Sequence, residues 1–301
     1  MLKTTTVSWP ALPLDEWRDT CDTLHMWTQI IGKVRLALTP TINHWWNVPL
    51  YVSASGLTTS AIDYGDRWFD VEFDFVGDVL RIRTSTGDDR TVALAPRTVA
   101  DFYDETMAAL KALGIDVRIW TMPVEVQDPI PFDKDVTHRS YDRDYALRFW
   151  RIVALTEKVF TSFRARFIGK CSPIHFFWGS FDLAVTRFSG RRNPQRPEDV
   201  INREAYSHEV SSVGWWAGDS RLELPTYYSY AAPEPPGFRS AGVSPAAAYY
   251  NSSLSGFYLH YDEVRRSTDP EKTLLDFCET TYTAAADLGK WDRAALERRG
   301  R

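Results

Sequence analysis

Apolar residues recur at every third or fourth position over residues 15–38, which is the spacing of an amphipathic helix. Runs of the same kind cover residues 98–113, 145–168 and 269–289. The last run begins with Asp269 and Pro270 and ends at Gly289, and these residue types favour the first and last turns of a helix. The pattern therefore predicts four helices.

Between these helices lie short segments that are rich in aromatic and β-branched residues, which is typical of strands. In the first half of the chain they cover residues 45–54, 68–76, 79–84, 91–94 and 117–120. In the second half they cover residues 173–188, 205–216, 226–231 and 256–261. Gly-Asp turns separate several of them, which favours antiparallel hairpins. We therefore expect an α+β fold in which long helices pack on mainly antiparallel sheets.

The order of helix, antiparallel strands and helix occurs twice along the chain. Ile-Gly-Lys at 31–33 recurs at 168–170, and each copy precedes a proline, a histidine flanked by aromatic residues and a Ser-Gly pair. These matches indicate an internal duplication. Residues 121–144 have three prolines and no clear period, so we expect an N-terminal module over 1–130 and a C-terminal module over 131–301. A ligand site is expected between two such modules.

The numbers of basic and acidic residues limit the classes of partner that we expect. The chain has 35 basic and 40 acidic residues and a net charge of −5, which gives no general attraction for nucleic acid. Three widely spaced cysteines, no apolar run of membrane-spanning length and no signal-peptide core favour a cytoplasmic protein. We expect a small-molecule ligand or substrate and neither nucleic acid nor membrane as a partner. The oligomeric state is left open.

Two histidines and two glutamates of the second half are the first candidate site. If their strands pair antiparallel, His175, His208 and Glu204 converge, and this set suits a single divalent iron, zinc or manganese ion. A second interpretation is acid–base catalysis without a metal, in which Glu204 or Glu209 tunes a histidine. In a third, both histidines are hydrogen-bonded members of an aromatic core.

Basic residues supply a second candidate site. A polar stripe with a spacing of four follows the first helix at His25, Gln29 and Lys33, and it faces either a cavity or solvent. In the second half, a carboxylate or phosphate could be bound by Lys170, Ser172 and Arg187.

Strand alternation places Arg187 on the same face as His175, among aromatic residues. A buried guanidinium needs a partner there. We expect that partner to be a ligand anion, with Glu204 or Glu209 as the alternative.

Aromatic and acidic residues around these positions complete the predicted ligand contacts. A planar or cationic ligand could stack on aromatic rings, although such clusters also build cores. The residues are His44, Trp45, Trp46, Trp178 and Asp182.

Three segments resemble a family of uncharacterised bacterial proteins that is known only as a domain of unknown function. They are GKCSPIHFFWGSFDLAVTRFSGR at 169–191, EAYSHEV at 204–210 and TLHMWTQIIGKVRLAL at 23–38. The resemblance covers nearly the whole chain and implies no established activity, cofactor or catalytic residue. From the residues, we expect a cytoplasmic enzyme that acts on a small anionic molecule. The alternatives are a non-catalytic small-molecule binding protein with an aromatic pocket and a structural or interaction protein.

Overall fold

The helices begin and end close to the positions that the apolar spacing predicts. The computed structural model describes residues 8–195, 197–219 and 222–298. Side-chain oxygens of Thr98 and Asp269 accept backbone N–H groups at two of the helix N-termini. Within the described residues the helices are α1 (Leu14–Leu38), α2 (Val99–Ala112), α3 (Arg143–Ala165), α4 (Val200–Ala205), α5 (Tyr261–Arg265), α6 (Pro270–Leu288) and α7 (Arg293–Leu296). None of these helices is both long and apolar enough to pass through a membrane.

Twelve strands of the described chain form two antiparallel sheets, so the α+β prediction is confirmed. The first sheet contains β1 (Tyr51–Val52), β2 (Gly56–Thr58), β3 (Ile62–Tyr64), β4 (Arg67–Asp74), β5 (Val79–Thr84) and β6 (Asp89–Ala93). Its order is β1-β2-β4-β5-β6, with β3 also paired to β4. The second sheet contains β7 (His175–Phe177), β8 (Asp182–Arg192), β9 (His208–Trp216), β10 (Thr226–Ala232), β11 (Tyr249–Asn251) and β12 (Gly256–His260). Its order is β11-β12-β10-β9-β8-β7.

Four of the predicted strands differ from the structure. The predicted strand over 45–54 is reduced to β1 at Tyr51–Val52, because Asn43–Trp45 form a 3-10 turn. Residues 117–120 form no strand, and Trp120 lies exposed above the ammonium group of Lys33. The predicted strand over 173–188 is a hairpin, because the chain reverses near Phe181, which has a positive φ of 57°. The predicted strand over 205–216 begins only at His208, since α4 ends at Ala205.

The two halves of the chain share one hydrophobic core. Phe149 on α3 lies 5.7 Å from Trp17, 6.1 Å from Phe75 and 5.9 Å from Phe176, measured between ring centres. At the edge of the core, Leu50 and Phe176 exchange two backbone hydrogen bonds of 2.9 Å. This bridge holds the start of β1 against β7 and therefore joins the two sheets.

The polar residues of the stripe on α1 form hydrogen bonds to another segment of the same chain. The side-chain amide of Gln29 donates to the Val124 carbonyl at 2.8 Å and accepts from the Val124 N–H at 2.9 Å. Lys33 Nζ donates to the Met122 carbonyl at 2.6 Å, and burial lowers the pKa of this lysine to about 8. The stripe therefore fastens the segment that connects the halves, instead of facing solvent.

We expect Gln29→Leu to lower the free energy of unfolding by about 2–4 kcal/mol, because it leaves both polar groups of Val124 without partners. The exposed Gln127 lies on the same segment, so Gln127→Leu serves as the control and should change stability by less than about 0.5 kcal/mol. Urea denaturation measures both. Equal effects of the two substitutions would contradict the role of Gln29.

Candidate functional site

A 3-10 turn at Asn43–Trp45, in the first half of the chain, places His44 against residues of the second half. The His44 N–H donates to Glu204 Oε1 at 3.1 Å, and Trp45 Nε1 donates to the Ile201 carbonyl at 3.1 Å. Both acceptors belong to α4. His44 and Trp45 each have a φ of 61°, a left-handed conformation that is uncommon outside glycine. The contacts with α4 hold this turn in place.

Lys170, which follows α3, makes the central contact of the site. Its Nζ lies 2.7 Å from His44 Nε2. The other ring nitrogen of His44, Nδ1, lies 3.1 Å from the carbonyl oxygens of both Glu204 and Ala205. Carbonyl oxygens only accept hydrogen bonds, so Nδ1 carries the proton and Nε2 accepts from the lysine ammonium. The pair is therefore a neutral imidazole and a cation.

Two aromatic rings lie beside the ammonium group. Lys170 Nζ is 4.9 Å from the centre of the Phe188 ring and 5.3 Å from the centre of the Trp46 ring. Such positions allow cation–π attraction. Trp46, which was predicted to contact a ligand, therefore contacts a cation of the protein itself.

His208 completes the site at the start of β9. Its ring centre lies 5.9 Å from that of His44, and its Nδ1 lies 3.2 Å from Ser207 Oγ. The β8–β9 register sets His208 opposite Arg192. We call His44, Lys170, Arg192, Glu204 and His208 the Lys170 cluster.

The pKa values of Lys170, His44 and His208 are all lowered. Burial lowers the pKa of Lys170, while the carboxylate of Glu204 partly opposes the shift. Burial and the charge of Lys170 lower the pKa of His44. For His208, burial, Lys170 and then Arg192 lower the pKa. The site therefore holds neutral imidazoles beside cations, and a bound anion would be stabilised by that charge.

The structure does not assemble the predicted metal ligands. His175 pairs with Ala184 near the start of β8, whereas His208 pairs with Arg192 at its end. Glu204 lies on α4 and contacts His44, instead of sharing a strand face with His208. In residues 8–195, 197–219 and 222–298, no group of three or more His, Cys, Asp or Glu side chains is placed to hold a metal ion. The set of His175, His208 and Glu204 therefore needs correction.

Arg187 also lies elsewhere than expected. Because the chain turns between β7 and β8, Arg187 and His175 are on opposite faces of the sheet. The guanidinium carbon lies 3.4 Å from the ring centre of Phe163, and Nη2 is 3.6 Å from Glu279 Oε1. Its side chain is 1% exposed. Arg187 is thus paired inside the core by α6, and not by Glu204, Glu209 or a ligand.

Glu209, the other predicted acid–base partner, lies near the start of β9, beside the end of β8. Its Oε2 accepts hydrogen bonds from Ser189 Oγ at 2.8 Å and from Arg191 Nη2 at 2.7 Å. These contacts close the hairpin between β8 and β9. Among the described residues, the hydrogen bonds of its carboxylate go to Ser189 and Arg191 and not to a histidine.

Two further predicted ligand contacts support the fold. Ser172 Oγ accepts from the Thr186 N–H at 2.9 Å. Trp178 Nε1 donates to the Val48 carbonyl at 2.8 Å, and its ring lies against Gly32. A Cβ atom at Gly32 would be only 2.2 Å from Trp178 Nε1. This glycine therefore permits close packing in the middle of α1, and it is not the end of the helix.

Asp182 lies in a buried hydrogen-bond network on the sheet face that also carries His175. Its carboxylate accepts from Ser180 Oγ at 2.6 Å and from the hydroxyl group of Tyr228. Burial raises the pKa of Asp182, whereas these hydrogen bonds lower it. The partners of Asp182 thus come from the protein.

Sequence reasoning missed Arg192 as a member of the site. The signal that could have identified Arg192 is its place at the end of the basic stretch 187–192. A separate groove of about 630 Å³ lies beside Arg97, Arg139 and Asp142. None of the predicted site residues lines it.

Replacing Arg187 with Met should lower the free energy of unfolding by about 3–5 kcal/mol, because Glu279 then loses its buried partner. Arg166 also approaches Glu279, at 3.5 Å, but it is 58% exposed. The control Arg166→Met should therefore cost less than about 1 kcal/mol. Urea denaturation without added anions measures both, and a small loss in Arg187→Met would contradict the core role.

Stability should also fall in acid because two histidines are buried. Burial lowers the pKa of His175 to about 3 and that of His25 to about 4. An unfolded histidine titrates near pH 6.5, so the unfolded chain binds more protons between these values. Stability is complete above about pH 6.5 and falls toward pH 3, by up to about 1.4 kcal/mol per pH unit for each histidine. Denaturation between about pH 7 and pH 4 should give a shallower slope for His175→Phe. An unchanged slope would contradict this assignment.

Comparison with known proteins gives one match, to a family model that covers both halves of the chain and therefore the whole site. The model of a family of unknown function, DUF5996, matches residues 9–298. No curated protein and no solved structure matches the chain. The resemblance to an uncharacterised domain is thus confirmed, while a bacterial origin stays a prediction. The chain belongs to DUF5996, a family of unknown function.

Proposed function

We propose that the protein is a cytoplasmic enzyme that binds a small anionic molecule at the Lys170 cluster and uses His208 as a general base. The observation that carries this proposal is the 2.7 Å contact between Lys170 Nζ and His44 Nε2. It fixes the ammonium group next to a neutral imidazole. A cation that is fixed in this way is suited to bind a carboxylate or phosphate.

The charges around Lys170 favour an anionic ligand. Lys170 and Arg192 both act electrostatically on His208, and Glu204 is the acidic residue of the cluster. Glu204 already accepts the backbone N–H of His44. An incoming anion would therefore meet more positive than negative charge.

His208 has the state that a general base needs. Its lowered pKa keeps the ring neutral at pH 7, and the side chain is partly exposed. Ser207 Oγ lies next to Nδ1, so Nε2 is the nitrogen that can reach a ligand. In the proposed reaction class, the C–H bond next to a carboxylate breaks and the proton goes to Nε2. The electron pair moves to the carboxylate oxygens, where the ammonium group of Lys170 stabilises the charge.

A non-catalytic binding protein is the second candidate. Lys170 and His44 already form a hydrogen bond with each other, and Trp46 and Phe188 lie beside the ammonium group. Such an arrangement can hold an anion without reacting. An aromatic pocket for the ligand has less support, because these rings contact Lys170.

We also propose that the two modules arose by duplication and meet near residue 130. Each half begins with a long helix, α1 or α3, continues with an antiparallel sheet and then forms a further helix. The repeated Gly-Lys pairs differ in position, since Gly32 is inside α1 whereas Gly169 follows α3. Superposition of residues 15–114 on 145–289 tests the idea, and different strand orders in the two halves would remove it.

Thermal unfolding with small carboxylates tests binding at the Lys170 cluster. We expect at least one carboxylate to raise the Tm of the protein by a few degrees beyond chloride of equal ionic strength, since a ligand at ten times its Kd contributes about 1.4 kcal/mol. Lys170→Met should abolish this rise. Lys158→Met, which removes an exposed lysine of α3, should leave it unchanged.

Deuterium exchange then separates the two candidate functions. In deuterated water, the protein should exchange the C–H proton next to the carboxylate of the stabilising ligand, as followed by proton NMR. His208→Gln should bind the ligand and lose the exchange. Binding without exchange in the unmodified protein would overturn the enzyme and support the binding module. Stabilisation that persists in Lys170→Met would overturn both.

A further inference from the structure

A groove of about 630 Å³ lies where α1 meets the segments that lead into α2 and α3. Residues 96–98 form one wall and residues 139–142 form the other. The Val99 N–H donates to the His138 carbonyl at 3.0 Å, and this hydrogen bond holds the two segments side by side. Ligand sites in proteins usually have volumes of about 300–1,000 Å³, so the groove is large enough for a small molecule.

Thr20 of α1 lines this groove with a buried hydroxyl group that has only one partner. The residue is 4% exposed, and its Oγ1 accepts the Asp142 N–H at 3.0 Å. The hydroxyl groups of Thr23 and Thr28 donate to carbonyl oxygens of α1 at 2.8 Å and 2.9 Å. The hydroxyl group of Thr20, in contrast, donates to no group among the described residues. The groove therefore contains a buried donor without an acceptor.

Arg97 adds a second donor of this kind. Its Nη2 donates to the carboxylate of Glu105, and its side chain is 21% exposed. Its Nε is buried and has no partner among the described residues. Buried N–H groups almost always have an acceptor, so this one is expected to find an acceptor outside the protein.

Arg139 lies on the opposite wall and has no counter-charge of its own. Its side chain is exposed, and it forms no ion pair or hydrogen bond with the described residues. A guanidinium group donates in a planar fork that fits the two oxygens of a carboxylate. The donors of Arg97, Arg139 and Thr20 therefore line one groove, and a carboxylate has the acceptors that they lack.

Two aspartates in the same groove balance the charge of the two arginines. Asp101 Oδ2 accepts the hydroxyl group of Thr98 at 2.6 Å. Asp142 Oδ1 accepts the N–H groups of Asp144 and Tyr145 at 2.9 Å and 3.1 Å, which leaves Oδ2 for another donor. A simple anion would meet both signs of charge here. A molecule with a carboxylate and an ammonium group would pair with both.

We propose that the groove binds a small zwitterion, either a free amino acid or a short peptide. Its carboxylate accepts hydrogen bonds from the two arginines and from the hydroxyl group of Thr20. Its ammonium group donates to Asp142, whose N–H is held by the same threonine. The partners of the two charges thus lie next to each other, as the two charges of an amino acid do. No member of the Lys170 cluster lines the groove, so this binding does not depend on the proposed function.

Calorimetric titration tests the proposal, with the common amino acids and the dipeptide glycyl-alanine as probes. Acetate, methylammonium chloride and sodium chloride are the controls. We expect at least one zwitterion to bind saturably and about tenfold more tightly than acetate or methylammonium, because only a zwitterion pairs with both the arginines and Asp142. Tighter binding of a free amino acid identifies that ligand, and tighter binding of the dipeptide identifies a peptide. If no zwitterion binds better than sodium chloride, or if acetate binds equally tightly, the proposal is overturned.

Two pairs of variants locate the site. Arg139→Met should weaken binding about tenfold, whereas Arg118→Met, which removes an exposed arginine outside the groove, should leave it unchanged. Asp142→Asn should weaken binding to a similar degree without lowering the Tm of the free protein, because asparagine also caps helices. Its control, Asp144→Asn, should retain binding, and so should Lys170→Met. Equal losses within either pair, or a loss in Lys170→Met, would overturn the proposal.

Discussion

The two backbone hydrogen bonds between Leu50 and Phe176 join the two sheets, and the Lys170 cluster depends on that junction. They fix the start of β1 against β7 and join two sheets that the chain builds separately. His44 precedes this bridge and Tyr51 follows it, so the bridge brings the first toward Lys170 and the second toward His175. The aromatic core around Phe149 supports the bridge from the side of α3. The Lys170 cluster therefore contains residues from both halves of the chain.

Uncompensated positive charge is the second constraint, in a protein whose net charge is −5. The acidic residues mostly pair with other cations or cap helices, as Glu209 pairs with Arg191 and Asp269 caps α6. Arg187 has Glu279, whereas Arg35 has a carbonyl oxygen and an aromatic ring. Buried cations without carboxylates cost free energy, because water solvates charge better than carbonyl oxygens and rings do.

The sequence predicts helices and strands whose residues follow a local spacing. It misses contacts between residues that are far apart along the chain. The helices and β5 follow from the period of apolar residues, because each period directly reflects the geometry of one element. Alternation failed between His175 and Arg187, because the turn at Phe181 changes which face the next strand presents. His44, Lys170, Glu204 and His208 were each identified as candidates, but their convergence depends on how two halves of the chain pack. Residues 117–120 alternate as a strand does, yet they have no neighbouring strand to pair with.

The left-handed turn at His44 and Trp45 ties the Lys170 cluster to the ordering of α4. Such a conformation costs about 1–3 kcal/mol for each residue, and here the hydrogen bonds to Glu204 and Ile201 offset it. Release of α4 would remove these bonds, and the turn would relax to a more favourable backbone conformation. The position of His44 and the docking of α4 are therefore a single coupled equilibrium. A ligand that moves His44 must also displace α4, which it does not touch. The free energy of that displacement is therefore part of the ligand's binding free energy.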